Sequence, residues 1–143
     1  MSEQKINFFS ENDFQLEGGE KYQAWLAGIT SSEAKELGEI NYIFCDDEYL
    51  HKINVDYLNH DTYTDIISFD YTSGNLLSGD IYISIERVAE NAQNFNQEFQ
   101  TELLRVMAHG LLHLCGYKDK SESESRVMRQ KEEEKIQMFH VEQ

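Results

Sequence analysis

The sequence predicts an α+β fold in which a small mixed β-sheet and the helices packed on it form one domain over residues 1–143. The first observation is that short apolar runs with the composition of strands lie between longer segments whose apolar residues have helical spacing. The second is that no repeat or linker interrupts this order. The third is size, because 143 residues with 40% hydrophobic side chains can bury one core but leave little room for two.

Strands and helices alternate in the first half of the chain. Apolar residues recur at three- and four-residue spacing from Tyr22 onward, which predicts a helix that Gly38 ends. Asp46 is the expected N-cap of a second helix, because acidic residues follow it in the first turn. The predicted elements are a strand at residues 5–9, a helix from Tyr22 through residues 33–37, a strand at 39–45 and a helix from Asp46 to about Leu58.

The second half is predicted to contain a hairpin and three helices. A polar loop, residues 59–65, leads into the hairpin. Ser121 and Glu124 have the spacing of a capping box, so the last helix is expected to begin there. The predicted elements are strands at 66–71 and 80–84 with a turn at 72–79 between them, and helices at 85–95, at 99–114 and from Ser121 toward Phe139.

Charge and composition exclude several classes of function. The net charge of −15 argues against a general nucleic-acid binder, and no DNA partner is expected. The surplus of acid lies in the first hundred residues, whereas residues 105–131 carry six basic and three acidic side chains. That segment is either a local basic patch or a solvated helix of mixed charge.

No run approaches the roughly 20 apolar residues of a membrane span, and the N-terminal residues lack the features of a signal peptide. A cytoplasmic protein with no membrane partner is therefore expected. The two cysteines, Cys45 and Cys115, are far apart in the sequence and predict free thiols rather than a disulfide framework.

A metal site is predicted at the end of the helix at 99–114. His109 and His113 lie four residues apart, so their side chains project about 40° apart around the helix and one turn along it. Gly116 can adopt the left-handed conformation that ends a helix and turns the chain back, which would bring Asp119 to the histidines. Gly110, between the histidines, indicates close packing or room for a ligand.

This spacing is similar to the H-E-x-x-H-x-x-G-x-x-H pattern of metzincin proteases, with Asp119 in place of the last histidine. Gly110 stands where those proteases have the glutamate that activates a metal-bound water. A peptidase of that mechanism is therefore disfavoured, and a metallohydrolase of another substrate remains an alternative.

Three motifs resemble signatures of one family. Residues 109–119 match H-G-x-L-H-L-x-G-Y-D-H except at the last two positions, and residues 79–84 match G-D-I-x-I-S. The pattern Y-R-x-x-D-x-x-T-D-V-L-S-F is matched at Tyr57, Asp61, Thr64, Asp65, Ser68 and Phe69. In their order along the chain, 57–69, 79–84 and 109–119, the motifs resemble those of the YbeY endoribonucleases.

The resemblance implies a zinc-dependent endoribonuclease of ribosomal RNA processing. It implies one zinc ion on His109, His113 and Asp119, where the carboxylate replaces the family's third histidine. Two histidines and a carboxylate also suit Fe(II), Mn²⁺ or Ni²⁺. The implied activity is single-strand-specific cleavage in maturation of the 16S 3′ end and in ribosome quality control, with the small subunit and its assembly factors as partners.

One departure concerns the phosphate-binding residue. The arginine that follows the tyrosine in the second motif of the family is Leu58 here. Arg105 and Lys118 are candidates to bind the substrate in its place, although both also suit a solvated helix surface. Asp65 or His60 can orient a water or a metal-bound histidine, or can simply stabilise the loop. The alternative function is a non-catalytic ribosome-assembly factor that the metal stabilises.

Overall fold

A four-stranded sheet with the strand order β1-β2-β4-β3 is the framework of the protein. The computed structural model describes residues 5–141. Strands β1, β2 and β4 are parallel, and β3 is antiparallel to β4. The strands are Ile6–Ser10 (β1), Glu36–Cys45 (β2), Ile66–Asp70 (β3) and Leu76–Ser84 (β4), and the helices are Gly19–Ser32 (α1), Asp47–Leu58 (α2), Ile85–Asn94 (α3), Phe99–Leu114 (α4) and Glu122–Val141 (α5).

Helix α4 is the centre of the hydrophobic core. Eleven of its sixteen residues are buried, and its apolar stripe joins the alternate residues of β2 and β4 in one cluster. The Tyr42 hydroxyl of β2 donates a hydrogen bond to the Met107 carbonyl at 2.9 Å. The indole of Trp25 on α1 donates to the Lys135 carbonyl on α5 at 2.7 Å. The burial of these apolar side chains stabilises the packing of α4 against the sheet.

The predicted α+β class, with a small mixed sheet and packed helices in one domain, is confirmed. The 66–70 and 76–84 strands form the expected antiparallel pair, and α4 has the predicted bounds. The capping box is also confirmed, because the Glu124 amide donates to the Ser121 hydroxyl and the Ser121 amide donates to the Glu124 carboxylate. Asp46 does precede α2, but its carboxylate accepts a hydrogen bond from Asn12 instead of capping the helix.

The predicted continuation of the first helix through residues 33–37 is wrong. Helix α1 ends at Ser32, and Ala34 has a left-handed backbone with a φ of 58°. The Glu36 amide then donates to the Asn75 carbonyl, and β2 begins three residues before its predicted start. Pairing with β4 overrides the helical preference of these residues.

The predicted turn at 72–79 is shorter than expected. Gly74 adopts a φ of 62°, and β4 already begins at Leu76. Leu76 and Leu77 pair with Glu36 and Leu37 in the parallel ladder. The two corrections have one cause, because both segments extend the same pair of strands, which is a long-range contact.

The signal-peptide expectation concerns residues 1–4, which lie outside the described residues. Within 5–141, no helix is both long enough and apolar enough to cross a membrane. Both cysteines in this range are free thiols, with Cys45 buried and Cys115 partly exposed.

Gly110→Ala is expected to destabilise the protein by up to about 2 kcal/mol. A Cβ atom there would lie 2.9 Å from Ile66 Cδ1 and 3.0 Å from Ile81 Cγ2. Overpacking of this kind costs about 1–3 kcal/mol, and the better helix propensity of alanine offsets about 1 kcal/mol. Urea denaturation measures the change. Adding Ile66→Val, which removes the Cδ1 atom, should restore part of the loss, whereas a more stable Gly110→Ala protein would contradict the packing role.

Candidate metal centre

The two predicted ligand histidines lie on the side of α4 that is not buried in the core. Their Nε2 atoms face each other at 2.9 Å. The imidazole rings are edge-on, with centroids 4.5 Å apart. The helical spacing of four residues therefore brings both nitrogens to one point, as the sequence predicts.

The segment after α4 brings Asp119 to the same point. Gly116 has a φ of 109°, and the Tyr117 amide donates to the Leu112 carbonyl, so the chain reverses at the helix end. The Ser125 hydroxyl on α5 donates to the Asp119 carbonyl at 2.9 Å. The loop is thus tied at both of its ends.

Three donor atoms form a compact triangle. Asp119 Oδ2 lies 3.2 Å from His109 Nε2 and 3.5 Å from His113 Nε2. Ligands at about 2.0–2.1 Å from a tetrahedral zinc ion lie about 3.3 Å from one another. The triangle therefore fits a single ion, and the group could hold one. All three side chains are partly exposed, so the donor atoms are accessible from the solvent.

Glu132 on α5 orients the first histidine. Its Oε2 atom accepts a hydrogen bond from His109 Nδ1 at 2.6 Å, which leaves Nε2 as the free nitrogen. Burial alone would lower the pKa of His109, but the hydrogen bond and the charge of Glu132 raise it above its ordinary value. Because a ligand histidine must be neutral, metal binding at this site competes with a proton.

Sequence reasoning missed Glu132. It lies in a run of three glutamates, which suggests a solvated surface, yet it is only 5% exposed. A signal was present in the helical spacing, because Glu132 lies on the α5 face defined by the buried Met128, Ile136 and Phe139.

The second histidine is oriented by the loop and by a buried ion pair. His113 Nδ1 donates to the Tyr117 carbonyl at 2.9 Å, and the Tyr117 hydroxyl donates to Glu33 at 2.7 Å. Glu33 in turn lies 2.8 Å from the ammonium group of Lys135, which is 1% exposed. Burial acts to raise the pKa of Glu33, but the hydrogen bonds from Lys135, Tyr117 and Lys131 lower it to about 2.

The cleft that contains the three donor atoms has a volume of about 710 Å³. Lys118 and His60 are exposed on its wall, and Leu58 also lines it. Asp65 is partly buried there, and burial raises the pKa of its carboxyl group. Three of the residues that the sequence suggested for substrate or water, Lys118, His60 and Asp65, therefore line one cleft with the donors.

Arg105 lies beneath this region with its charge already paired. It is 9% exposed, and its guanidinium lies 2.5 Å from Glu133, 3.4 Å from Glu132 and 3.9 Å from Glu102. A guanidinium with three carboxylates around it has little capacity left for a phosphate. The structure thus favours a positioning role, in which Arg105 holds Glu132 against His109.

Comparison with known proteins gives the family. A family model described as Endoribonuclease YbeY matches residues 6–140. The chain belongs to the YbeY family. It is 64% identical over 138 residues to the Endoribonuclease YbeY of Flavobacterium johnsoniae, covering 96% of this chain and 99% of that protein. It is also 64% identical over 143 residues to that of Christiangramia forsetii, covering 100% of both.

Comparison with solved structures agrees with this family assignment. The solution structure of TM1509 from Thermotoga maritima is similar with a TM-score of 0.67 and 26% sequence identity, covering 96% of this chain and 90% of that one. The resemblance in the three motifs to the YbeY family is therefore confirmed over nearly the whole chain.

Glu132→Gln is expected to weaken metal binding about 10–100-fold, because the histidine loses its charged acceptor while the three donors remain. Competition with a chromophoric chelator measures the dissociation constant. Glu133→Gln is the matched control, since Glu133 also pairs with Arg105 but accepts no hydrogen bond from His109. Equal affinities in the two variants would show that Glu132 does not orient the ligand.

Glu33→Gln is expected to destabilise the protein by about 3 kcal/mol at pH 7, because it removes the buried carboxylate that pairs with Lys135 and leaves that lysine only the exposed one of Glu134. The folded pKa of Glu33 lies below its ordinary value of 4.5, so its contribution is complete above pH 4.5 and is lost as the pH falls toward about 2. Urea denaturation across this range should therefore show the two proteins converging in acid.

Glu134→Gln is the control for that measurement. Glu134 pairs with the same lysine at 3.0 Å, but its side chain is 55% exposed. An exposed pair contributes at most about 1 kcal/mol. A loss in Glu33→Gln no larger than this, or one independent of pH, would contradict the role assigned to the buried ion pair.

Proposed function

We propose that this chain is a metal-dependent endoribonuclease that cleaves single-stranded RNA. The observation that carries the proposal is the triangle of His109, His113 and Asp119 in an open cleft of a YbeY-family protein. The relatives named above are called endoribonucleases, which supports RNA as the substrate.

The residues of the cleft have separate tasks in this reaction. His109, His113 and Asp119 would hold the ion, which when bound supplies Lewis acidity toward a phosphate oxygen. Asp65 accepts the proton of the attacking water at a carboxylate oxygen, a task that its raised pKa favours. The exposed ammonium group of Lys118 binds a phosphate of the substrate.

Zinc is the metal we propose, on the ground of the family and of the donor distances. A structural zinc site has four protein ligands, whereas catalytic sites have three and leave one position open. Among residues 5–141, three candidate ligands lie together in the cleft. The oxygen ligand also makes Fe(II), Mn²⁺ and Ni²⁺ acceptable, so metal content has to be measured.

The biological setting is proposed from family membership. It is the maturation of 16S ribosomal RNA at its 3′ end and the quality control of ribosomes in the cytoplasm, with the small subunit and its assembly factors as partners. One basic residue of the segment 105–131, Lys118, is exposed at the cleft, which supports contact with RNA on this side.

A non-catalytic assembly factor is the second candidate. Leu58 lines the cleft at the position of the family's arginine, and the charge of Arg105 is paired with carboxylates. Both observations reduce the positive charge available to the substrate. A peptidase has less support, because Gly110 replaces the catalytic glutamate of the metzincin pattern.

Wild-type protein purified without added metal is expected to contain about one equivalent of zinc or another transition metal, as measured by mass spectrometry. His113→Ala should lose it, whereas His140→Ala, at the exposed end of α5, should retain it. The absence of metal from the wild type, even after incubation with zinc, would remove this mechanism.

Cleavage of single-stranded RNA separates the two candidates. The wild type is expected to cleave, and Asp119→Ala should lose at least about a hundredfold in rate, because one donor of the triangle is removed. Asp13→Ala, an exposed carboxylate in the loop before α1, is the control. Metal-loaded wild type that binds but does not cleave RNA would favour the assembly factor.

A further inference from the structure

A second cavity adjoins the candidate metal centre on its other side. It has a volume of about 350 Å³ and lies among α3, α4 and α5. It shares Asp65, Ile66, His109 and Asp119 with the larger cleft, so the two cavities meet at the donor atoms. A chain-like ligand that occupied both would pass directly over the triangle of donors.

Arg129 gives the rim of this cavity a positive charge. Its side chain is 64% exposed, and its ion pair with Glu132 is long, with 4.0 Å between the guanidinium nitrogen and the carboxylate oxygen. That carboxylate is already occupied, because it accepts from Arg105 on one oxygen and from His109 on the other. The N–H donors of the Arg129 guanidinium therefore remain available to a ligand, whereas those of Arg105 are taken up by carboxylates.

Phe95 adds an aromatic surface to the wall of this cavity. It directly follows α3, and its side chain is 59% exposed although it is apolar. Asn91 lies one helical turn before it and lines the same cavity. An exposed ring beside an amide and a guanidinium matches the groups that proteins use for an unpaired base and its phosphate.

Four carboxylates line the cavity, those of Asp65, Glu102, Asp119 and Glu132, and the two glutamates do not oppose an anion at the rim because their charges are paired. Glu102 and Glu132 are buried and turned toward Arg105, and Glu132 also toward His109. The bound ion would compensate the charge of Asp119. The exposed positive charge at the solvent side of the cavity is that of Arg129.

We infer that this second cavity is a nucleotide subsite for single-stranded RNA, in which Arg129 binds a phosphate next to the scissile one and a base stacks on Phe95. The inference rests on the proposed function and names the path of its substrate. Leu58 provides no positive charge at the position of the family's arginine. The subsite would supply that charge from the second cavity instead.

RNA binding tests the subsite without any requirement for turnover. The probe is a fluorescently labelled single-stranded RNA of about ten nucleotides, and anisotropy is measured on both chelator-treated and zinc-loaded protein over a series of salt concentrations. Arg129→Gln should bind several-fold more weakly, with a salt slope smaller by about 0.7, which corresponds to one phosphate contact on a single strand. Arg126→Gln is the matched control, because Arg126 lies on the same helix, is 70% exposed and lies outside this cavity.

Phe95→Ala tests the stacking half of the subsite. It should weaken binding about tenfold and leave the salt slope unchanged, because it removes a ring and no charge. Phe9→Ala is the control, since Phe9 is 51% exposed on the edge strand β1 and lies outside both cavities. Thermal denaturation checks that all four variants fold.

The outcomes separate this inference from the proposed function. Equal affinity and salt slope for Arg129→Gln and Arg126→Gln would overturn the phosphate contact, and an unchanged Phe95→Ala would overturn the stacking. Wild type that fails to bind the RNA at low salt would overturn the subsite as a whole. Metal-loaded wild type that binds with the expected variant effects but does not cleave would overturn the endoribonuclease and leave the subsite supported.

Discussion

The buried carboxylate of Glu132 joins the packing of this protein to the chemistry of its site. It lies on α5 and accepts hydrogen bonds from Arg105 and His109, which both lie on α4. A buried charge without partners would cost several kcal/mol, so the two helices are held in one register by the need to satisfy it. The orientation of the first candidate ligand is thus a consequence of how α4 and α5 pack.

The second candidate ligand depends on a different part of the fold. His113 is oriented through Tyr117 by Glu33, which lies just after α1 and is paired with a lysine of α5. Each histidine is therefore held from its Nδ1 side by a separate network, and only the Nε2 atoms remain free. Since no rotation of either ring is needed, the three donors are already arranged for an ion.

The parts of this structure that could be predicted are those encoded locally. The spacing of His109 and His113, the reversal at Gly116 and the capping box at Ser121 each depend on a few neighbouring residues, and all are found. The helical continuation at residues 33–37 failed because strand pairing with residues far along the chain decided it. Glu132 was missed for the same reason, since its contact with His109 joins two elements whose relative position the sequence does not show.

Local charge explains how a chain with a net charge of −15 can present a site to RNA. Charges farther apart than about 8–10 Å are largely screened at physiological salt, so the groups near the phosphate matter most. Around the donors, the buried carboxylates are directed toward Arg105, His109 and Lys135, whereas Lys118 and Arg129 are exposed on either side of the triangle. The acidic surplus of the first hundred residues then disfavours nonspecific binding of a polyanion to that part of the surface, whereas Lys118 and Arg129 favour its binding beside the donors.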